Sequence, residues 1–539
     1  MKKILSVALA LIMLVSLFVP AVYAIPHNNT TDCPTLYFRG NGETIYDEDG
    51  NAVYDFDVDS DTIKSIAKTV LPSFTKGYLT GNFDEYYKVF GEEMTKLYDR
   101  CLLDNNGNPR YGTGISDDLK ALIEKRKVTD YKNSNGQYLF DAYTLPYDWR
   151  LDPLATADII DNFIDCILKT TGAKKVNLMS KCLGGNLILA YIAKYGTEKI
   201  NGIGFGSTVA FGQDLASEVY SGHVDFDSET ITRFAKDKFA SDLLSNLDSV
   251  VSEFITDTLE LANISGAGDV ATNATMKLLV NRLYKGLIPV LVTTTYGTWP
   301  GYWSMVTADR YQEAKTFVFG DENSEKYQNY AGLIAKLDNY DTLVRQHIPE
   351  LLTKAKDNGV KICIVSKYGF QMPPITDLKD EQGDVWVSAK YSSLGATVSK
   401  AGSTLSDDYI AERTALGYAD YISPDKQIDA STCVLPEYTW FIKNAVHNEW
   451  TKEENSLMTY VFNYDGQATV NDIDGASRFM VYDRENDVIS PMTTENCDTE
   501  TYEVDEDTSF IAKIQKFFKA IIKWLKTTFN FLKYLSDKK

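Results

Sequence analysis

Short apolar runs alternate with longer stretches of helical periodicity along most of the chain. "PTLYF" is a compact strand-like run ending at "RGNGE", and "YLFDAYTLPYDWR" reads as a strand leading into a Pro-containing loop. "TADIIDNFIDCILKTTG" repeats its apolar residues at three and four and closes on Gly172, as a helix does. "KKVNLMS" has the look of a buried strand, and "GNLILAYIAKYG" of a helix with its own Gly stop. "INGIGFGSTVAFG" and "KICIVSKYG" add two further strands. Between them, about 213–315, the pattern is mostly helical and breaks the strand–helix rhythm. Strands alternating with helices imply an α/β fold, a mostly parallel sheet with helices on both faces. The long helical stretch then reads as a lid inserted into it. Beyond 456 the segments "LMTYVFNYDGQATVND" and "SRFMVYDRENDVISPM" alternate like strands around Asp-Gly and Glu-Asn turns. They predict a small β appendage over 456–507.

The two ends differ from the body. Lys2, Lys3, the apolar run "ILSVALALIMLVSLFV" and "VYA" ending at Ala24 make residues 1–24 a secretory signal of bacterial type, with an uncleaved anchor as the other reading. The mature domain would run over 25–455, in a secreted or envelope-associated protein. Residues 508–539 form a basic amphipathic helix. Its apolar positions step by three and four, and Lys513, Lys516, Lys519, Lys523, Lys526 and Lys533 fall on the opposite face. An anionic membrane surface, the chain's own acidic body and a partner helix are all possible seats for it.

The net charge is −21, and the basic tail leaves the body at about −30. A body this acidic does not bind nucleic acid, which needs a basic face. Seven Cys could form three disulfides and leave one thiol; Cys166, in a helical run, and Cys363, in an apolar strand, read as free and buried. Four His, none at ligand spacing with another His or Cys, give no metal site, and no cofactor is expected.

The candidate chemistry sits in Ser180-Lys181-Cys182-Leu183-Gly184-Gly185, between a strand and a helix. A nucleophile on so sharp a turn needs small residues two before and two after it, the Gly-x-Ser-x-Gly pattern of α/β-hydrolases. Here Cys replaces Ser, and Ser replaces the first Gly. The helix N-terminus favours a thiolate, and Leu183 N–H would face the oxyanion. The competing reading of Cys182 is a small buried residue in an ordinary turn. A Cys nucleophile needs a His base and a carboxylate to orient it, in the chain order nucleophile, acid, His. His447 in "TWFIKNAVHNEW" is placed late enough; His27, His223 and His347 are not. Asp384 in "EQGDVWVSAKYSSLGAT" is the candidate acid, with Asp377, Asp380 and Glu381 as nearby competitors.

"LPYDWRLDP", the elbow followed by "GG", "TWPGYWSMV", "GDVWVSA" and the late His together resemble the lecithin–cholesterol acyltransferase family of α/β-hydrolases, which includes phospholipid acyltransferases and phospholipases. The resemblance spans roughly 34–455 in motif order. It implies acyl transfer from a glycerophospholipid or similar ester, with Cys182, Asp384 and His447 as the catalytic residues. It further implies an oxyanion loop of Gly40, Asn41 and Gly42, with Asn41 as donor. Asp148, Trp149 and Arg150 would border the acyl or headgroup site, and Trp299, Tyr302 and Trp303 would line the lipid path; the other readings are an ion-paired structural loop for "PYDWR" and a lid core for the Trp cluster. The Cys departs from that family and resembles the thioester-forming box of polyhydroxyalkanoate synthases. It favours transfer or slow hydrolysis over fast lipase turnover, and leaves open a binding or scaffold protein that kept the fold and lost the chemistry.

Overall fold

A computed structural model describes residues 31–40, 44–53, 60–115, 131–132, 138–140, 142–224, 286, 289–372, 377–447 and 449–497. The signal segment 1–24, the basic tail 508–539, the loop residues Asn41 and Gly42 and most of the expected lid lie outside these.

The fold is α/β. Its centre is an eight-stranded sheet: β1 (Thr35–Phe38), β2 (Tyr143–Thr144), β3 (Val176–Cys182), β4 (Ile200–Thr208), β5 (Lys361–Tyr368), β6 (Thr439–Lys443), β7 (Phe479–Asp483) and β8 (Val488–Pro491), in the order β8-β7-β6-β5-β4-β3-β1-β2. Only β8 runs antiparallel, against β7 at one edge. The strands expected from "PTLYF", "KKVNLMS", "INGIGFGSTVAFG" and "KICIVSKYG" supply four adjacent members.

Helices α1 (Ser60–Thr80) and α2 (Asp84–Leu97) follow the first strand. Helix α3 (Pro153–Thr171) starts where the Asp152 carboxylate accepts from Leu154 N–H, and stops at Gly172, φ 74°. Helix α4 (Gly184–Tyr195) stops at Gly196 in the same way. The described ends of the expected lid include α5 (Asp214–Tyr220) and α6 (Tyr311–Phe319), and α7 (Ala331–Leu343) and α8 (Ile348–Asp357) return the chain to β5. One core joins α3, α4 and α8 to Leu36, Phe38, Leu178, Ile203, Phe205, Ile362 and Ile364 of the sheet.

The opposite face carries α9 (Lys452–Asn463). Its seat is a stripe of glycines. In "INGIGFG" every second residue lacks a side chain on that face. A Cβ at Gly202, Gly204 or Gly206 would lie 2.9 Å or less from Phe462, Met458 or Trp450 respectively. The bare strand lets α9 press its Leu457, Met458, Val461 and Phe462 onto Met179, Cys363, Val365 and Ile442.

The stretch after 456 differs from its expected strand character. Residues 456–463 belong to α9. The Tyr, Val and Phe that raise β-propensity there are overridden by a capping box upstream: Thr451 Oγ1 accepts from Glu454 N–H, and Glu454 Oε2 accepts from Thr451 N–H. The hairpin that follows extends the central sheet as β7 and β8. All seven cysteines are free thiols, so none of the three possible disulfides is present.

Glu454 has a second duty. Its Oε1 lies 3.0 Å from Lys367 Nζ, both side chains fully buried. Losing the cap alone and losing the ion pair should therefore differ in cost. Thr451→Ala is expected to lower unfolding free energy by about 1 kcal/mol. Glu454→Leu, which strands a buried ammonium, should cost about 3–5 kcal/mol. Urea denaturation of the two variants checks the ordering, and equal losses would refute it.

Candidate functional site

The carboxyl ends of β3, β4, β5 and β6 meet at one mouth of the sheet. Cys182, the last residue of β3, has φ 52°, a left-handed value that non-glycine residues rarely adopt. The β3–β4 register slips there: Lys181 faces Gly206, but Cys182 faces Thr208. The skipped residue, Ser207, also has positive φ, 45°, and its buried hydroxyl has no partner among the described residues. The turn closes because two glycines follow. A Cβ at Gly184 would lie 2.7 Å from Arg39 O, and one at Gly185 would lie 2.8 Å from Ala210 Cβ. Cys182 is thus lifted, partly exposed, to the head of α4. Leu183 opens that helix, so its N–H is among the first-turn amides that lack an intrahelical partner.

Asp384 and His447, 63 residues apart in the chain, come together. His447 Nδ1 lies 2.8 Å from Asp384 Oδ2, and His447 N–H donates to Asp384 O at 2.9 Å. The other carboxylate oxygen of Asp384 accepts from Trp386 N–H at 3.1 Å and Val387 N–H at 2.8 Å. Cys182 lies near enough to the same imidazole to act on its charge. With Nδ1 engaged by Asp384, Nε2 is the ring nitrogen that remains. Of the competing acids, Asp380 pairs with Lys400 at the surface and Glu381 N–H closes on Leu378 O. His223 sits between Glu218 and Glu313, and His347 is exposed in a 3-10 turn.

The charges fit this pairing. Burial lowers the affinity of His447 for its proton, but Asp384 and then Cys182 reverse that and carry its pKa up to about 9. Burial pushes the Asp384 carboxyl up, and the His447 charge and hydrogen bond, Val387 N–H and Lys367 outweigh it and hold it below the usual carboxylate range. Burial, then Lys367, pushes the Lys181 ammonium down to about 8, against the pull of Glu454, Cys182 and Asp384.

The His447 loop is braced by residues that no motif marked. Lys367 Nζ donates to Glu449 O. The Glu449 carboxylate accepts from Val446 N–H at 2.7 Å and from Arg484 Nε at 2.9 Å. Tyr147, inside "PYDWR", donates its hydroxyl to Arg39 O at 2.9 Å and reaches Gly40 O at 3.2 Å. Gly40 itself abuts the sulfur; a Cβ there would stand 3.6 Å from Cys182 Sγ. These are contacts between segments distant in sequence, and only the loop glycines gave any hint of them.

Of the two readings of the aromatic and ionic residues, the placement matches the ion-paired loop for Asp148 and Arg150 and a core position for Trp299 and Trp303. Arg150 is wholly buried, in a two-pronged pair with Asp148 (Nε–Oδ1 2.9 Å, Nη2–Oδ2 2.6 Å), and Nη1 donates to Cys101 O at 2.9 Å. That guanidinium clamps three chain segments and presents no free N–H fork to a headgroup. Trp299 and Trp303 are also fully buried, with indole N–H groups given to Cys101 O at 3.1 Å and Gly297 O at 2.9 Å. Trp303 lies in a core with Tyr220, Tyr311 and Phe319, away from any lining. Trp149 packs edge-on to Trp299, and both rings contact Tyr302, which stays partly exposed. The sequence could not separate lining from core, because large aromatic residues serve both.

Among the described residues no group of His, Cys, Asp and Glu is arranged to hold a metal, and no helix is long and apolar enough to cross a membrane. No family model matches the chain, and no curated protein matches it. Among solved structures the chain is similar to one in the crystal structure of the Tle4–Tli4 complex, at 9% identity and a TM-score of 0.28, over 92% of this chain and 99% of that one. No residue role is transferred from a likeness of that level.

Two expectations follow. Arg150→Met should cost about 3–5 kcal/mol in urea denaturation, because it leaves Asp148 buried without its partner; an unchanged midpoint would return Arg150 to a surface role. The His447–Asp384 pair makes a pH signature. Because folding raises the His447 pKa from 6.5 to about 9, the stabilisation is full below pH 6.5 and is lost as pH rises through about 9. At the acid end, Asp384's lowered pKa keeps its share until pH falls through that lowered value. Between pH 6.5 and 9.5 the wild-type chain should lose stability on the order of 3 kcal/mol relative to Asp384→Asn. Parallel curves for the two proteins would disprove the coupling.

Proposed function

We propose that the chain is an acyl-transfer enzyme working through a thioester on Cys182, with His447 as base and then acid, and Asp384 as the group that orients the imidazole. The single observation that carries this reading is the convergence of a left-handed Cys at a strand-to-helix turn with a buried, hydrogen-bonded His–Asp pair whose charge it feels. Cys182 yields its proton to His447 Nε2, and the sulfur attacks the acyl carbonyl carbon. The negative oxygen of the tetrahedral intermediate is held by Leu183 N–H at the head of α4. The C–O bond to the leaving alcohol then breaks, and that oxygen takes the proton from the imidazolium. An acceptor hydroxyl, amine, thiol or water gives its proton to His447, attacks the thioester and releases Cys182.

The substrate we assign is an acyl ester of the glycerophospholipid kind. The motif order shared with the lecithin–cholesterol acyltransferase family supports it. A thioester is attacked more readily by amines and thiols than an oxygen ester is, which favours transfer over hydrolysis. We place the enzyme outside the cytoplasm or at the envelope, from the apolar leader of residues 1–24, with the basic, amphipathically patterned segment 508–539 as its contact with anionic lipid.

Iodoacetamide near neutral pH should alkylate Cys182 well ahead of the other six thiols, several of them buried, and mass spectrometry locates the site. His447→Ala should abolish that selectivity. An activated fatty ester should leave an acyl adduct on residue 182 that hydroxylamine removes. Alkylation of Cys182 no faster than free cysteine, with no adduct, would instead make the chain a binding or scaffold protein on an inactive hydrolase fold.

A further inference from the structure

Tyr147 is placed between the end of β1 and the loop that leads to α3, and its side chain is 6% exposed. Its hydroxyl is the hub for two consecutive carbonyls, Arg39 O at 2.9 Å and Gly40 O at 3.2 Å. A trans peptide carries its N–H on the side opposite its carbonyl. The Arg39 carbonyl held on that hydroxyl therefore turns the Gly40 N–H, on the other side of the same peptide plane, away from Tyr147. The same loop is pressed against the elbow. Phe38 pairs with Ser180 in the sheet, Arg39 O bounds Gly184, and Gly40 abuts Cys182, where a Cβ would stand 3.1 Å from Cys182 Cβ.

We infer that Tyr147 is a positioning residue for the oxyanion site: it holds the Arg39 and Gly40 carbonyls so that Gly40 N–H joins Leu183 N–H in facing the acyl oxygen bound at Cys182. Tyr147 itself touches neither sulfur nor substrate; it acts through the loop. This rests on the thioester reading above. A donor aimed at an oxyanion strengthens only when charge develops there, so its loss lowers kcat and leaves ground-state binding alone. Alkylation of the thiol by iodoacetamide passes through no oxyanion and should ignore Tyr147.

The full chain carrying Tyr147→Phe keeps the ring and its packing and removes only the hydroxyl. Three measurements compare it with wild type: the iodoacetamide rate at Cys182, the acylation rate and KM with p-nitrophenyl butyrate, and the inhibition constant of decanal, which adds reversibly to a thiol as a hemithioacetal. The expected result is an alkylation rate within about twofold, an acylation rate down about 10- to 100-fold at a KM within about twofold, and decanal weakened to a similar degree. Acylation and decanal affinity equal to wild type, with near-ultraviolet circular dichroism unchanged, would overturn the assignment of Tyr147 and leave the Cys182 reading standing. A wild-type chain that shows neither selective alkylation nor acylation overturns both. Tyr147→Met, which also lacks the hydroxyl, repeats the comparison if the Phe chain does not fold.

Discussion

The left-handed backbone at Cys182 is the constraint from which the rest of the site follows. A non-glycine residue held at φ 52° costs on the order of 1–3 kcal/mol, and it persists only where surrounding contacts fix it. Here they do. Strand β3 is buried between β1 and β4, the carbonyls of Phe38 and Arg39 close on Gly184, and Ala210 and Thr208 close on Gly185. The chain has no way out of the strand except upward through the turn. What the strain secures is access. A thiol in a relaxed strand would point into one of the two cores, whereas this one stands at the carboxyl edge of the sheet beside an imidazole. A second left-handed residue, Ser207, sits beside it in β4, where the register slips to accommodate the turn.

The imidazole is held on a different principle. His447 follows β6 by a few residues, and that loop has no regular structure of its own to stiffen it. Its rigidity comes from buried polar groups: Asp384 takes both the ring and the backbone N–H of His447, and Lys367 takes the carbonyl of Glu449. Lys367 in turn is paired with Glu454, which caps α9. A chain of charge-assisted bonds thus runs from the helix on one face of the sheet to the proposed base at its edge. Buried ion pairs contribute little net stability compared with apolar packing, but removing one member is costly. A network of this kind fixes geometry, and a proton transfer between sulfur and ring nitrogen is sensitive to geometry at the level of tenths of an ångström.

The four central strands and the elbow were legible in the sequence because each is local: an apolar run, a Gly stop, small residues around a Cys. Asp384 and His447 were legible because chain order restricts where an acid and a base can fall, and only one late His exists. The misreading of 456–463 has a physical cause. The Tyr, Val and Phe of "LMTYVFN" favour a strand in isolation, while the helix is decided by Thr451 and Glu454 just upstream and by the glycine stripe of β4 on which it lies. The roles of Arg150, Trp299 and Trp303 were hidden for another reason. A charged or aromatic side chain announces that it will make strong contacts, and nothing in its own neighbourhood says whether the partner is a ligand or the chain itself. For Arg150 the partners are Asp148, two residues away, and Cys101, which no spacing rule connects to it.

That inversion bears on what the "PYDWR" segment is for. Its ionic and indole members look inward. Asp148 and Arg150 tie the loop to Cys101, and Trp149 and Trp299 lock it to the segment returning from the expected lid, where Gly301 N–H donates to Arg150 O at 3.0 Å. Only Tyr147 faces the elbow. The motif therefore works as a keystone: a rigid, internally satisfied block with one hydroxyl turned toward the loop beside Cys182. Under the proposed acyl-transfer reading, contacts to the substrate would fall to side chains less buried than these. Tyr302, Met305, Trp386 and Tyr391, all partly exposed and packed against the core that Cys182 joins, are the described residues whose chemistry suits an apolar chain. Under the function proposed above, the charged motif holds the site and the partly exposed aromatic rim is the part of it that would meet an acyl chain.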